Sequence, residues 1–123
     1  MSFEKDTLTE KIIACCFKVH RELGPGFPER VYQNALKIII KEENLALEIE
    51  KEFVIFFNGK KVGTFRCDLV VENKVIVEIK SVTGNMPPIF YHQLLSYLKA
   101  AKIKTGLLIN FGNKSCEVKR VSV

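Results

Sequence analysis

The sequence predicts an α/β fold, a mixed β-sheet with helices packed against it, from three features of its patterning. Two near-continuous apolar runs, at 69–71 and 75–79, flank a tight turn, as in strands that are buried on both faces. The dipeptide Asn58-Gly59 is a strong hairpin signal and adds a strand before them. A helical segment then separates the second run from an apolar strand at 105–111, a crossover long enough to set those two strands parallel.

Eight elements are predicted along the chain, in the order α-α-β-β-β-α-β-β. Thr7 and Glu10 have the spacing of a capping box, which predicts that the first helix begins there. Pro28 suits the first turn of the second helix, and Gly63 is a candidate β-bulge in the second strand. The predicted ranges are helices 7–23, 29–43 and 88–102, and strands 47–57, 61–71, 75–80, 105–111 and 115–123.

Length and composition restrict the class of protein. The chain has 123 residues, so residues 1–123 are predicted to form one domain. Its net charge of +5 permits a polyanionic partner without requiring one. No apolar run reaches the roughly 20 residues of a membrane span, and the polar N-terminus lacks a signal-peptide segment, so we expect a cytoplasmic location and no membrane partner. The cysteines lack CxxC spacing and are predicted to be packing residues, with an iron–sulfur or zinc site as the alternative; they are Cys15, Cys16, Cys67 and Cys116.

Two carboxylates and one amine interrupt the apolar runs: Asp68, Glu78 and Lys80. If a three-residue loop closes the hairpin, Asp68 lies opposite Glu78, with the two Cβ atoms roughly 4.5–5.5 Å apart. Lys80 shares a strand face with Glu78. Like charges this close are destabilising unless a cation lies between them, which indicates a divalent metal site beside a catalytic lysine. The alternative is an exposed Glu78–Lys80 pair of little energetic worth, which the apolar flanks disfavour.

Further polar residues share helix faces. Gln93 and Tyr97 are four apart, and Glu29 and Tyr32 are three apart, so each pair lies on one side of its helix. Gln and Tyr side chains can hydrogen-bond phosphate, or they can form the polar rim of an amphipathic helix. Glu29 could be another carboxylate ligand, or it could favour the helix N-terminus electrostatically. The pattern around His20 favours a structural histidine.

These residues resemble the GxxExxY family, a group of small PD-(D/E)XK-nuclease-like proteins. The matching motifs cover nearly the whole chain: VHRELGPG at 19–26, the name-giving pattern at 26–32, RCDL at 66–69, VIVEIK at 75–80, QLLSYL at 93–98 and GLLINF at 106–111. The spacing Gln93-x-x-x-Tyr97 is also similar to the motif that follows the catalytic lysine in exonucleases of the RecB type. The resemblance implies a restriction-endonuclease-like fold and Mg²⁺-dependent hydrolysis of phosphodiester bonds, with Mn²⁺ as another usable ion and DNA favoured over RNA.

The resemblance also implies roles at the metal site. Asp68 and Glu78 would be metal ligands, and Glu29 would stand where related nucleases carry a helix-borne acid that helps to hold the metal. Lys80 would orient the attacking water and offset charge on the scissile phosphate. Mg²⁺ is a hard cation bound through carboxylates and waters, and it can activate water for attack on a phosphodiester.

Substrate contact is implied for a second group of residues. Gln93 and Tyr97 would support the site and contact nucleic acid. Tyr32 and His20 fall within family motifs and are grouped with them, although His20 has no firmer role. The bulky run at 89–92 departs from the expected pattern just before Gln93 and affects the contacts expected at that helix start.

A second function is compatible with the same motifs. A nuclease-like fold can serve as a catalytically silent module that binds nucleic acid or another protein, because fold and motif do not establish activity. The chain is short and carries no obvious element to grip a long duplex. A homodimer or a protein partner could therefore supply that surface.

Overall fold

The computed structural model describes the backbone of residues 3–123 and the side chains from residue 7 onward. The predicted order α-α-β-β-β-α-β-β and the predicted mixed sheet with flanking helices are confirmed. The elements are helices α1 (Phe3–Leu23), α2 (Glu29–Glu42) and α3 (Pro88–Ala101), and strands β1 (Leu47–Phe57), β2 (Lys60–Val71), β3 (Val75–Lys80), β4 (Thr105–Asn110) and β5 (Glu117–Ser122). Within this described part of the chain, no helix has the length and apolar character that crossing a bilayer requires.

The start of α1 differs from the prediction. The helix begins at Phe3 and Thr7 lies inside it, so the predicted capping box is wrong. A capping residue needs non-helical backbone, and no proline or glycine separates Phe3 from Thr7 to interrupt the helix. Pro28 lies at the N-cap of α2 with extended backbone, φ −62° and ψ 156°, one position before the predicted first turn.

The sheet is covered on both faces, which explains the continuous apolar runs in its central strands. Its strands lie side by side in chain order, with β3 and β4 parallel and every other neighbouring pair antiparallel. Helices α1 and α2 pack on one face, over a core that includes Leu69, Val71, Val75, Val77, Ile79, Leu107 and Ile109. Helix α3 packs on the other face, over Phe65, Cys67, Val70, Ile76, Leu108 and Val121.

Strands β1 and β2 form a long hairpin. They are joined at Asn58 and Gly59, which both have positive φ, 51° and 74°, as a two-residue type I′ turn requires. Strand β2 pairs with β3 only from Leu69 to Val71, so residues 60–67 pair with β1 alone. The register slips where Ile55 pairs with Gly63 but Phe56 pairs with Lys61, which places the bulge beside Gly63, next to the predicted position.

The inward-facing side chains of the β1–β2 hairpin switch from one face of the sheet to the other near Glu50. Glu50 has a left-handed backbone with φ 51° in the middle of β1, between the pairs Ile49–Leu69 and Lys51–Cys67. Leu69 packs toward α1 and α2, whereas Cys67 packs toward α3. The strand alternation therefore reverses at Glu50 and at Asp68 opposite it, which lets one hairpin contribute to both cores.

The segment that follows β3 is fastened to the end of β4. The Asn110 side chain accepts a hydrogen bond from the Val82 amide and donates one to the Val82 carbonyl, both at 2.9 Å. Gly112 lies so close to this segment that a Cβ atom there would overlap the backbone of Val82. The backbone after Lys80 is therefore held in place by the Asn110 side chain, and it can pack this closely because Gly112 has no side chain.

We expect Gly112→Ala to destabilise the fold because the added methyl group would collide with backbone that Asn110 holds in place. Overpacking of this kind costs about 1–3 kcal/mol. Thermal unfolding followed by circular dichroism measures the difference. Gly63→Ala is the matched control, since nothing lies within 4 Å of a Cβ built there; equal midpoints for the two variants would contradict the close approach at Gly112.

Candidate metal centre

Asp68 and Glu78 face each other across β2 and β3, as predicted, and are joined by crossed hydrogen bonds. The Asp68 amide donates to Glu78 Oε2 at 2.9 Å, and the Ile79 amide donates to Asp68 Oδ2 at 2.7 Å. The predicted register leads to this point, with Val71 opposite Val75 and Val70 opposite Ile76. Each carboxylate thus takes a hydrogen bond from the partner strand, which fixes the two acids side by side.

Burial makes the two acids hard to ionise together. It is the largest cause that raises the pKa of each carboxyl group. The negative charge of Asp68 then adds to the effect on Glu78, whose pKa rises to about 8. The backbone hydrogen bonds and the Lys80 ammonium act in the opposite direction on both groups. The positive charge of Lys80 therefore offsets only part of the cost of ionising both acids.

Lys80 projects toward the same place and is positioned by an aromatic ring. Its ammonium lies over the ring of Phe90, in α3, with Nζ 4.1 Å from the ring centroid. Cation–π contact of this kind stabilises an ammonium in a partly buried position. Phe90 belongs to the bulky run at 89–92, and it is a neighbour of the site that sequence reasoning did not find.

Glu29 lies near the acid pair without joining it. It is exposed in the first turn of α2, and its charge raises the pKa of both Asp68 and Glu78. No three acidic, histidine or cysteine side chains among the described residues are grouped closely enough to hold a metal ion. Two carboxylates are nevertheless a suitable donor set for Mg²⁺, which is usually bound by one or two carboxylates together with waters and substrate phosphates.

Two further residues lie close to Asp68 and were missed from the sequence. Gln33 is buried, with 8% exposure, and its Nε2 donates to the Asp68 carbonyl at 3.1 Å. It lies four residues after Glu29, so the helical spacing was the available signal. Glu50 also raises the pKa of Asp68 and lies 3.6 Å from Arg30 and 3.8 Å from Arg66, measured between charged atoms.

Tyr97 and Gln93 lie on α3, on the side of the sheet that carries Lys80. The Tyr97 ring stacks on Phe65 with centroids 4.3 Å apart. Burial raises the pKa of Tyr97, and the negative charge of Glu78 adds to the effect. Gln93 is half-buried one turn earlier. Their contact with substrate stays a prediction.

Tyr32 and His20 lie in the core behind the site. Tyr32 has no exposed surface; its hydroxyl donates to the Gly24 carbonyl at 2.6 Å, and its ring stacks on Phe111 with centroids 4.5 Å apart. His20 Nε2 donates to the Asn113 carbonyl at 2.9 Å. These contacts favour structural roles that hold the loops before α2 and after β4, and the substrate contact expected for the two residues stays a prediction.

The cysteines are free thiols, as expected for packing residues. Three are buried and Cys116 is half-buried. Cys67 directly precedes Asp68, and burial followed by the charges of Glu78 and Asp68 raises the pKa of its thiol to about 12. A thiol of this kind is a poor nucleophile and a poor metal ligand at neutral pH, so Cys67 serves the site as an apolar wall.

Comparison with known proteins identifies the family. The PD-(D/E)XK nuclease superfamily matches residues 6–121, and a search among curated proteins finds no match. The solved structure of SSO0001 is similar with a TM-score of 0.61 and 22% identity, over 76% of this chain and 48% of that one. This likeness shows the fold alone, and the chain spans about half the length of SSO0001. Because the family match extends over nearly all of its residues, the chain belongs to the PD-(D/E)XK nuclease superfamily.

Proposed function

We propose that this chain is a Mg²⁺-dependent nuclease that hydrolyses phosphodiester bonds of nucleic acid, DNA in preference to RNA. The observation that carries the proposal is the acid pair: crossed hydrogen bonds hold Asp68 and Glu78 together, and the Lys80 charge acts on both. Holding the buried Glu78 carboxylate beside the half-buried carboxylate of Asp68 is unfavourable unless positive charge lies close to both. Nucleases of this superfamily generally use divalent metals, which fits such a pair.

Each residue of the site would have a distinct role in catalysis. Asp68 and Glu78 would hold the cation, and Glu29 would approach it by rotation of its exposed side chain. A bound divalent ion supplies charge stabilisation and an activated water. Lys80 would orient that water and offset charge on the scissile phosphate. Tyr97 and Gln93 would contact the nucleic acid along α3.

Several finer assignments belong to the same proposal. The motif Gly26-x-x-Glu29-x-x-Tyr32 supports membership of the GxxExxY family within the superfamily. We also propose a cytoplasmic location, Mn²⁺ as an alternative ion, and a second copy or a protein partner that extends the substrate surface. Each is an inference from the sequence.

The direct test is a cleavage assay with labelled single- and double-stranded DNA and RNA in Mg²⁺, Mn²⁺ or EDTA. The expected result is cutting with either ion and none with EDTA. Asp68→Asn keeps an oxygen for the Ile79 amide but removes the charge, so it should reduce cutting by at least about 100-fold, as other losses of transition-state electrostatics do.

Glu42→Gln is the control, because it removes one carboxylate from an exposed position of α2 and should leave cutting unchanged. Binding without cutting by the unaltered protein, insensitive to Asp68→Asn, would favour the silent module over the enzyme. Cutting that persists in EDTA would contradict the metal-dependent mechanism.

A further inference from the structure

The outer part of the β1–β2 hairpin, residues 54–64, is an arm with an unusual surface. Three of its large apolar side chains are more than half exposed to solvent: Phe56 by 65%, Phe57 by 67% and Val62 by 62%. Two lysines, Lys60 and Lys61, lie directly opposite Phe57 and Phe56. The segment contains no aspartate or glutamate, so its tip is both aromatic and positively charged.

The arm is braced against α3. Phe53 stacks on Phe65 with centroids 5.3 Å apart, and Phe65 stacks on Tyr97 at 4.3 Å. Tyr97 in turn lies near Glu78, whose charge contributes to its raised pKa. Three stacked rings thus connect the base of the arm to α3, the helix that also carries the Phe90 ring over Lys80.

Phe56 and Phe57 serve no core. They follow the braced part of β1, and neither belongs to the two clusters of core residues. Alternate residues of a strand point to opposite faces, so each side of the tip presents one phenyl ring with one lysine opposite. Exposed rings beside lysines suit single-stranded nucleic acid, because the rings stack on unpaired bases and the ammonium groups contact phosphates.

We propose that the tip of this arm binds the nucleic-acid strand beside the cleavage site, with Lys60 and Lys61 on phosphates and Phe56 and Phe57 on unpaired bases. Lys60 is eight residues from Asp68 along β2, which corresponds to about 26 Å of extended strand. The arm would therefore hold the substrate several nucleotides away from the bond that is cut. The inference rests on the proposed function and supplies the gripping element that the sequence did not reveal.

The test measures binding without turnover, by fluorescence anisotropy of labelled single-stranded and duplex DNA in EDTA over a range of salt concentrations. Lys60→Ala with Lys61→Ala should weaken binding and lower the slope of log affinity against log salt by about 1.4 for single strands. Phe56→Ala with Phe57→Ala should weaken single-strand binding by about tenfold or more with little change of salt slope.

Lys11→Ala with Lys18→Ala is the control, since it removes the same charge from exposed positions of α1, on the opposite face of the sheet. Tip variants that bind DNA like the unaltered protein would overturn the proposal, as would an unaltered protein that binds no DNA. So would tip variants that convert a dimer into a monomer at unchanged affinity per protomer, because the tip would then be a self-association surface.

Cleavage assays separate this proposal from the enzymatic one. Loss of binding in tip variants of a protein that never cuts would support the arm and contradict the nuclease. Cutting by a protein whose tip variants bind DNA normally would support the nuclease and contradict the binding role of the arm.

Discussion

Lys80→Ala is expected to reduce metal-dependent cleavage by about 10²–10³-fold, the usual cost of removing one preorganised charge from a transition state. Lys80 ends β3, two residues after Glu78, and its ammonium is held over the Phe90 ring. Because the ring fixes the charge beside the acid pair, the enzyme would not have to reorganise it during the reaction. Alanine cannot replace that charge. Initial rates on a labelled oligonucleotide measure the loss.

Lys37→Ala is the matched control for this prediction. It removes a lysine from an exposed position of α2, on the other face of the sheet, and should leave the rate unchanged. Both variants should remain folded and should bind DNA in EDTA nearly as well as the unaltered protein. If Lys80→Ala cleaves the oligonucleotide as fast as the unaltered protein, Lys80 has no role in catalysis.

Without metal, the protein is expected to lose stability as the pH rises from about 5 to 8. Burial and then the charge of Asp68 raise the pKa of Glu78 from 4.5 to about 8 in the folded state. The folded protein therefore holds a proton that the unfolded chain releases above its own, lower pKa, so the free energy of unfolding falls across this interval. The loss attributable to Glu78 is on the order of a few kcal/mol.

Glu78→Gln isolates this contribution, because glutamine resembles the protonated acid and can still accept the Asp68 amide. Denaturant unfolding in EDTA at several pH values should show a flatter profile for Glu78→Gln than for the unaltered protein. Glu10→Gln, at an exposed position of α1, should retain the original profile. Added Mg²⁺ should restore stability at pH 8 only where both carboxylates are present, by binding the folded state preferentially. Parallel profiles for the unaltered protein and Glu78→Gln would refute the prediction.

Local patterns were sufficient to predict most of the fold. Apolar runs identify strands that are covered on both sides, and Asn58-Gly59 can hardly form anything but a tight hairpin turn. The turn at 72–74 fixes the register of β2 against β3. The position of Asp68 opposite Glu78 could therefore be predicted from the sequence alone. The start of α1 was missed because a capping-box spacing also occurs inside helices.

The surroundings of the acid pair could not be predicted because they depend on contacts between distant parts of the chain. Gln33 is 35 residues from Asp68 in sequence, and Phe90 reaches Lys80 only because α3 crosses the sheet there. The left-handed backbone of Glu50 has no local signature, since glutamate does not favour that conformation. The fully buried position of Tyr32 likewise follows from the packing of α2 and could not be read from a motif.

The left-handed backbone at Glu50 has a consequence for solubility. Strand β1 forms one border of the sheet, and a long, straight border strand is a template on which other chains can add. The left-handed residue Glu50 and the register slip near Ile55 interrupt the regular pairing pattern of this border at two points. An incoming extended chain could pair regularly with only one stretch of this border at a time, so we expect the geometry that shapes the hairpin to disfavour edge-to-edge aggregation as well.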